Sequence, residues 1–356
     1  MAKKRLENRA GRGAVIAQVA AELLLGEELP QDGPILLVDD DTEILAQAIA
    51  EAGGQVSRWD RRAYGGRAAR VWPKEEPAAA AMVRLPKDWA SFELSLNAVA
   101  GRLAPGARLW VYGGNAEGIR SAPRRMTARY FGEVETRLLK RRARVLECAR
   151  GEATEGLASG IESFRAETTL SLPSVSGAPL EVTLASYPGA FAKGALDGGT
   201  AALLKGAAGI KPRRRVLDFC CGIGVVGVWA RARWPEAELT LLDVDAVSLH
   251  AAAENLPGAR VVLSDGFRQL SSGERFDAIL SNPPIHRGAE EDMTLLHELA
   301  SQAPRHLTAG GMLVMVCQKS VGCGALLEPH FKQVQLLTET TSFQVWCGVS
   351  PVRARG

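Results

Sequence analysis

No run of about twenty apolar residues occurs in the 356 residues, so no bilayer-spanning helix is expected. The opening stretch, Met1 to Arg9, is basic, but no apolar segment of signal-peptide length follows it. Cysteine is scarce as well. The six residues Cys148, Cys220, Cys221, Cys317, Cys323 and Cys347 show no zinc-ligand spacing, which predicts no metal site and a reduced, cytoplasmic protein. A large net charge is also missing: 43 Lys and Arg against 40 Asp and Glu leave +3. What remains is an ordinary globular composition, 46% apolar and 23% charged, in a chain long enough for two domains.

The small net charge conceals clusters. Residues 120–150 hold ten Lys and Arg (Arg120, Arg124, Arg125, Arg129, Arg137, Lys140, Arg141, Arg142, Arg144 and Arg150) against three Glu. A second cluster is Arg58, Arg61, Arg62, Arg67, Arg70 and Lys74, and a third is Lys211, Arg213, Arg214 and Arg215. Neutralising a polyanion requires clustered cations, so RNA is an expected partner; solvated helix faces are the plain alternative.

Residues 1–150 read as a degenerate α/β domain. Ile35–Val38 is a short strand ending in three aspartates, followed by helical periodicity from Thr42 to Ala52 and a stop at Gly53-Gly54. Strands are expected at 55–59, 79–85 and from Arg108, a helix from Trp89 to Leu103, and a turn at Pro105-Gly106. Such alternation predicts a parallel sheet. Residues 151–184 contain two alternating segments, Thr168–Leu172 and Leu180–Leu184, read as a connecting β-hairpin. Residues 185–356 repeat the α/β grammar with sharper signals and end in an antiparallel pair. The run Ala81–Pro86, a helix, then Leu103–Tyr112 parallels Ala278–Pro284, a helix, then Leu307–Val316, which suggests a duplication.

Four strand-end signals in the second half carry chemistry. Asp218 closes a strand, and Gly222, Gly224 and Gly227 open the next helix, where missing Cβ atoms let backbone turn and approach a ligand. Such glycines also suit a dinucleotide. A carboxylate at the loop, however, favours a cationic ligand such as S-adenosylmethionine over a pyrophosphate. Asp243, about twenty residues on, stands where a ribose diol is held; Asp245 reads as a helix N-cap. Asp265 and Gly266 follow the next strand, where an adenine amine and ring would lie, with Phe267 beside them. Finally comes Ser281-Asn282-Pro283-Pro284-Ile285-His286. A conjugated amine is a poor nucleophile, because its lone pair is delocalised. An Asn oxygen and a proline-loop carbonyl, that of Pro283, can accept its two N–H protons and aim the lone pair. Pro284 stiffens the loop, and His286 is a candidate base or phosphate contact. With a methyl donor that is already activated, positioning and electrostatics suffice and no metal is called for.

At these residues the chain resembles the RsmC-type 16S rRNA guanine-N2 methyltransferases and their 23S-directed relative RlmG. The resemblance covers nearly the whole chain: the Tyr187–Thr200 segment, the Asn282–His286 loop, the Leu307–Gly311 turn, and Leu85-Pro-Lys and Gly113–Ala122 in the first half. It implies two tandem Rossmann-like class I methyltransferase domains, the N-terminal one degenerate and without a cofactor site; that domain is expected to dock RNA or to chaperone the fold of its twin. It implies S-adenosylmethionine as cofactor, guanine N2 in ribosomal RNA or the small ribosomal subunit as substrate, and a monomer. It also implies that Lys193, Asp197 and Thr200 lie over the cofactor pocket. Two positions depart from the family pattern. Ile285 replaces the usual aromatic, leaving Phe191 or Phe267 to stack on the base, and Cys220 replaces a loop glycine. The other readings are a 23S-directed enzyme, a protein glutamine-N5 methyltransferase, which shares Asn-Pro-Pro, and an RNA-binding ribosome assembly factor.

Overall fold

The computed structural model describes residues 2–174, 177–190, 195–211, 213–284 and 290–352. The chain divides into two compact units. One comprises Ala2–Arg62 and Arg67–Phe164; the other comprises Ala63–Gly66 and Arg165–Gly356. Residues 151–164 therefore go with the first unit, and the 166–186 hairpin with the second.

In chain order the first unit runs α1 (Ala2–Leu24), β1 (Ile35–Val38), α2 (Ile44–Glu51), β2 (Val56–Trp59), β3 (Ala78–Arg84), α3 (Trp89–Ala100), β4 (Leu103–Gly114), α4 (Pro123–Met126), β5 (Glu135–Lys140) and β6 (Ala143–Ala149). The second runs β7 (Ala166–Leu172), β8 (Leu180–Ser186), α5 (Gly198–Ala207), β9 (Arg215–Phe219), α6 (Val225–Arg233), β10 (Glu238–Asp243), α7 (Ala246–Asn255), β11 (Arg260–Leu263), β12 (Phe276–Ser281), α8 (Glu290–Gln302), β13 (Leu307–Gln318), α9 (Cys323–Leu327), β14 (Phe331–Glu339) and β15 (Phe343–Pro351). Strands β7 and β8 form a separate antiparallel pair.

The main sheets are built alike. Their orders are β2-β1-β3-β4-β6-β5 and β11-β10-β9-β12-β13-β15-β14. Apart from β11, each strand of the second has a counterpart in the first, and the antiparallel end pairs share their inverted order. Registers agree as well. The break between Ala78 and Ala80 on β3 recurs between Phe276 and Ala278 on β12, and that between Thr136 and Leu138 on β5 recurs between Leu336 and Thr338 on β14. Two unrelated sheets have no reason to share irregularities, so the duplication reaches the backbone.

Pairing aligns the halves residue by residue. Val38 pairs with Trp59 and Val83, as Phe219 pairs with Leu242 and Ser281. Leu37 thus stands where Asp218 does, Asp60 where Asp243 does, and Arg84 where Asn282 does. The residue after the first strand is left-handed in both, Asp39 at φ 51° and Cys220 at φ 59°. Side chains rarely accept that conformation, which costs roughly 1–2 kcal/mol; the fold keeps it in both copies.

Three expectations change. The first sheet is mixed rather than parallel, because β6 and β5 run antiparallel at its edge. Pro105-Gly106 lies within β4, at the irregular stretch opposite the β3 break, with Gly106 at φ 82°. Helix α1 goes beyond the sequence reading. It buries Ile16, Val19, Ala20 and Leu24 in one cluster with Leu37, Trp110 and Val145.

The basic clusters are largely answered from within. Arg137 and Lys140 each meet a glutamate of the 22–27 segment at 2.6 Å, and Arg141 meets Glu22 at 3.5 Å. Arg58 and Arg67 share Glu43, each at 2.8 Å, while Arg214 and Arg215 share Glu238. Arg150 is buried on backbone carbonyls, and Arg61 is 1% exposed. Arg120, Arg124 and Arg142 are exposed and have no ion-pair partner among the described residues.

Helix α6 lies close on β10 because Gly227 has no side chain. A Cβ there would meet a Leu241 methyl at 2.5 Å and Leu256 at 3.1 Å. Gly227→Ala is expected to overpack this contact by about 1–3 kcal/mol, read as a lowered thermal midpoint. An unchanged midpoint would mean that the helix can slide away freely.

Candidate active site

The site residues gather at the carboxyl ends of β9, β10, β11 and β12, which parallel pairing holds side by side. Ser281 fixes the middle of this edge: fully buried, its hydroxyl donates to the Phe219 carbonyl at 2.8 Å.

Beyond Phe219 the chain turns through Cys220 and the loop glycines. The Cys221 N–H donates to the Leu242 carbonyl at 3.0 Å, and the Gly222 N–H to Asp243 Oδ2 at 2.8 Å. Gly222 and Gly224 are left-handed, at φ 54° and 86°. The Asp243 Oδ1 accepts from the Asp245 N–H at 3.0 Å. A carboxylate offers about four lone-pair directions, so capacity remains for a ligand diol. Asp245 caps α7, accepting from the N–H groups of Val247 and Ser248 as expected.

Asp218 is the buried carboxyl of the site. Its Oδ2 accepts from the Gly227 N–H at 2.9 Å, while its Oδ1 is buried without a hydrogen-bond partner. Burial pushes the carboxyl up to about 8, only partly countered by the Gly227 N–H, with Asp243 adding repulsion. Asp243, which keeps an edge to solvent, is pushed by burial to about 6. Two carboxyls held against ionisation beside an open glycine loop fit a cationic ligand, whose charge would restore both.

Asp265 is 8% exposed, and its Oδ2 accepts from the Gly65 N–H at 3.0 Å. Gly266 is left-handed at φ 65°, and its carbonyl accepts from the Ser264 hydroxyl at 2.7 Å. Phe267 corrects an expectation. It is 5% exposed, with Phe219 stacked 4.6 Å away and His306 4.9 Å away, so it belongs to the core and has no free face for a base.

The Asn282 amide is held most tightly. Its Nδ2 donates to Asp197 Oδ2 at 2.8 Å and to Thr200 Oγ1 at 2.9 Å. Asp197 also caps α5 through the Thr200 N–H at 2.9 Å. A carboxylate only accepts, so the amide nitrogen must face Asp197 and Oδ1 must face away. That oxygen has no hydrogen-bond partner among the described residues. Pro283 is buried and Pro284 exposed. Lys193, His286, Ile285 and Phe191 lie outside the described residues.

Sequence reasoning missed two residues. Gly199 passes so close that a Cβ would lie 2.9 Å from Asn282 Oδ1 and 3.0 Å from Asp197 Oδ2; the Gly198-Gly199 pair opening α5 was the available signal. Asn255, at the end of α7, donates to the carbonyls of Ala185 and Ile223, each at 2.9 Å, tying the glycine loop to the end of β8. No motif announces it.

The chain matches the Methyltransferase small domain family over residues 181–347 and the RLMG N-terminal domain family over 67–152. It is 32% identical over 341 residues to a Pseudomonas entomophila protein named ribosomal RNA small subunit methyltransferase C, spanning 92% of this chain and 97% of that one. A protein of the same name in Stutzerimonas stutzeri is 32% identical over 351 residues, spanning 92% and 98%. The T. thermophilus 16S rRNA N2 methyltransferase RsmC, solved with AdoMet and guanosine, superposes with a TM-score of 0.77 at 22% identity. That match spans 93% of this chain and 91% of that one, and shows the shared fold.

The Asp218 carboxyl sets a pH dependence. Unfolded, it ionises near its ordinary 3.8; folded, it keeps its proton up to about pH 8. Between those values the folded state binds more protons, so ligand-free protein loses stability as pH rises through the window and levels off above it. Asp218→Asn cannot ionise, and its thermal midpoint should fall less than the parent's from about pH 5 to about pH 8. Equal falls would show that Asp218 is ionised in the folded protein.

Proposed function

The chain belongs to the ribosomal RNA small subunit methyltransferase C family, and from that membership we propose that it methylates the exocyclic N2 of a guanine in 16S rRNA, using S-adenosylmethionine. The carrying observation is the fixed orientation of the Asn282 amide. Its nitrogen is committed to Asp197 and Thr200, which presents Oδ1 as an acceptor in a set direction. That oxygen takes one N–H of the guanine amine, and the Pro283 carbonyl takes the other. The amine lone pair then points out of the conjugated plane. Bound S-adenosylmethionine would supply an electrophilic methyl group, so the chain needs only to orient the nucleophile through hydrogen bonds to its two N–H groups, the proton shed by the methylated amine passing to solvent.

In this reading the loop around Cys220, Gly222 and Gly224 passes along the methionine moiety, with Asp218 beneath as counter-charge. Asp243 takes the ribose diol, and Asp265 with Gly266 takes the adenine. Asp197 and Thr200 serve twice, as walls of the cofactor pocket and as the clamp on Asn282. Lys193 and His286 are assigned by family resemblance, to the cofactor and to the base or a phosphate. The N-terminal unit, with Leu37 for Asp218 and Arg84 for Asn282, serves RNA docking.

Mass spectrometry of nucleosides from both rRNAs in cells lacking the gene tests the substrate. Loss of one N2-methylguanosine from 16S rRNA is expected; an unchanged nucleoside profile in both rRNAs would sink the reading. Asn282→Ala should keep cofactor affinity within a few fold and lose on the order of 10²-fold in turnover. Turnover equal to the parent's would overturn the lone-pair mechanism. Gly199→Ala should reproduce much of that loss by displacing the Asn282 oxygen, with the cofactor dissociation constant measured alongside.

A further inference from the structure

The hairpin joining β5 to β6 is turned by two residues only, Arg141 and Arg142, because Lys140 pairs with Ala143. Both are left-handed, at φ 49° and 62°. Two-residue hairpin turns of this hand are normally made of Asn-Gly, Asp-Gly or Gly-Gly, where a missing Cβ or a short polar side chain removes the steric cost. Two arginines are among the least suitable residues for it, and nothing in the core requires them, since both side chains are exposed. Strain kept at a surface position points to a use for the side chain.

Their surroundings separate the two. Arg141 leans on Glu22 at 3.5 Å, beside the 2.6 Å Lys140–Glu22 pair. Arg142 has no ion-pair or side-chain hydrogen-bond partner among the described residues, yet its backbone is firmly held. Its carbonyl accepts from the Asn115 N–H at 2.8 Å, Arg144 Nε donates to Asn115 Oδ1 at 2.9 Å, and Ala143 pairs with Gly114 of β4. Asn115, which the turn holds, opens residues 115–126; these carry Arg120 and Arg124, both exposed and without ion-pair partners among the described residues. Of the run of ten cations read from the sequence, these three stand both exposed and uncommitted to any other side chain or ring, and Arg142 is the one on a rigid, strained support.

We propose that the Arg141-Arg142 turn is a phosphate-reading tip, in which Arg142, backed by Arg120 and Arg124, grips the phosphodiester backbone of the rRNA substrate. This rests on the rRNA methyltransferase reading and names where the N-terminal unit would meet the RNA. A planar guanidinium can bind a phosphate bidentately, and a held backbone lowers the entropy lost on doing so. The turn thus gives up stability for a preplaced cation.

That trade-off makes the test selective. Arg142→Gly and Arg142→Asn, which suit the left-handed turn, should raise the thermal midpoint of the full chain. Both should weaken binding to protein-free 16S rRNA about 3- to 10-fold at low salt. The slope of log affinity against log salt should shrink by about 0.7–0.9, the loss of one phosphate contact. Arg142→Lys should keep the parent's midpoint and most of its binding, and cofactor affinity should not change in any variant. Variants that bind rRNA with the parent's affinity and slope would overturn the proposal, as would a lowered midpoint in both Gly and Asn variants, which would make the turn a structural element. A parent that binds neither protein-free 16S rRNA nor the small ribosomal subunit would instead remove the substrate reading on which it rests.

Discussion

The parallel register of β10, β9 and β12 is the constraint on which the site depends. Leu242, Phe219 and Ser281 lie level across the three strands, so Asp243, the glycine loop and Asn282 emerge together at one edge. In a strand, a shift of one residue moves every side chain to the opposite face. A slip of β12 alone would turn the Asn282 amide away from Asp197 and Thr200. Ser281, whose hydroxyl bonds the Phe219 carbonyl in a fully buried position, opposes such a slip at the point where it would do most harm.

The same register shows what separates the two halves chemically. Both keep the left-handed step after the first strand and an acid at the end of the second. The first half carries Leu37 in place of the buried carboxylate and Arg84 in place of the amide, with Arg84 committed to Glu117 at 2.7 Å. The left-handed step therefore persists in a half whose strand ends carry different side chains. The second half has an added strand, β11, beyond β10; the first half reduces it to a single bridge between Asp60 and Ala69.

The sequence discloses the strand-end acids, the glycine loop and the Asn282 loop, because each is local: a short apolar run, then a small or acidic residue. Most of the α/β order is legible for the same reason. Helix α1 is hidden by Gly11 and Gly13, which interrupt its pattern, and β5 by its mostly charged and polar residues around the adjacent Leu138 and Leu139, which break the alternation of a strand. The arginine clusters look free in the sequence because the glutamates that answer them are distant: Glu22 is 118 residues from Lys140 and Glu27 is 110 from Arg137. The clamp on Asn282 reaches across 85 residues to Asp197 and 82 to Thr200, and the closeness of Gly199 is a property of packing alone.

The acids at the strand ends of the first half meet counter-charge inside the chain itself. Asp39, Asp40 and Asp60 crowd there; burial raises Asp60 to about 7 against the pull of Arg67 and Arg58, and the cations beside these acids are the chain's own. Arg61, 1% exposed, lies 3.5 Å from Asp39 and donates to the Ser91 hydroxyl at 3.0 Å. Its guanidinium supplies positive charge beside Asp39 from within the chain. Leu37→Asp would add another acid to a place where counter-ions are already built in. The twin domains thus differ at their strand ends in where balancing charge comes from: the first half carries guanidinium groups of its own beside its acids, while Asp218 has only a backbone N–H.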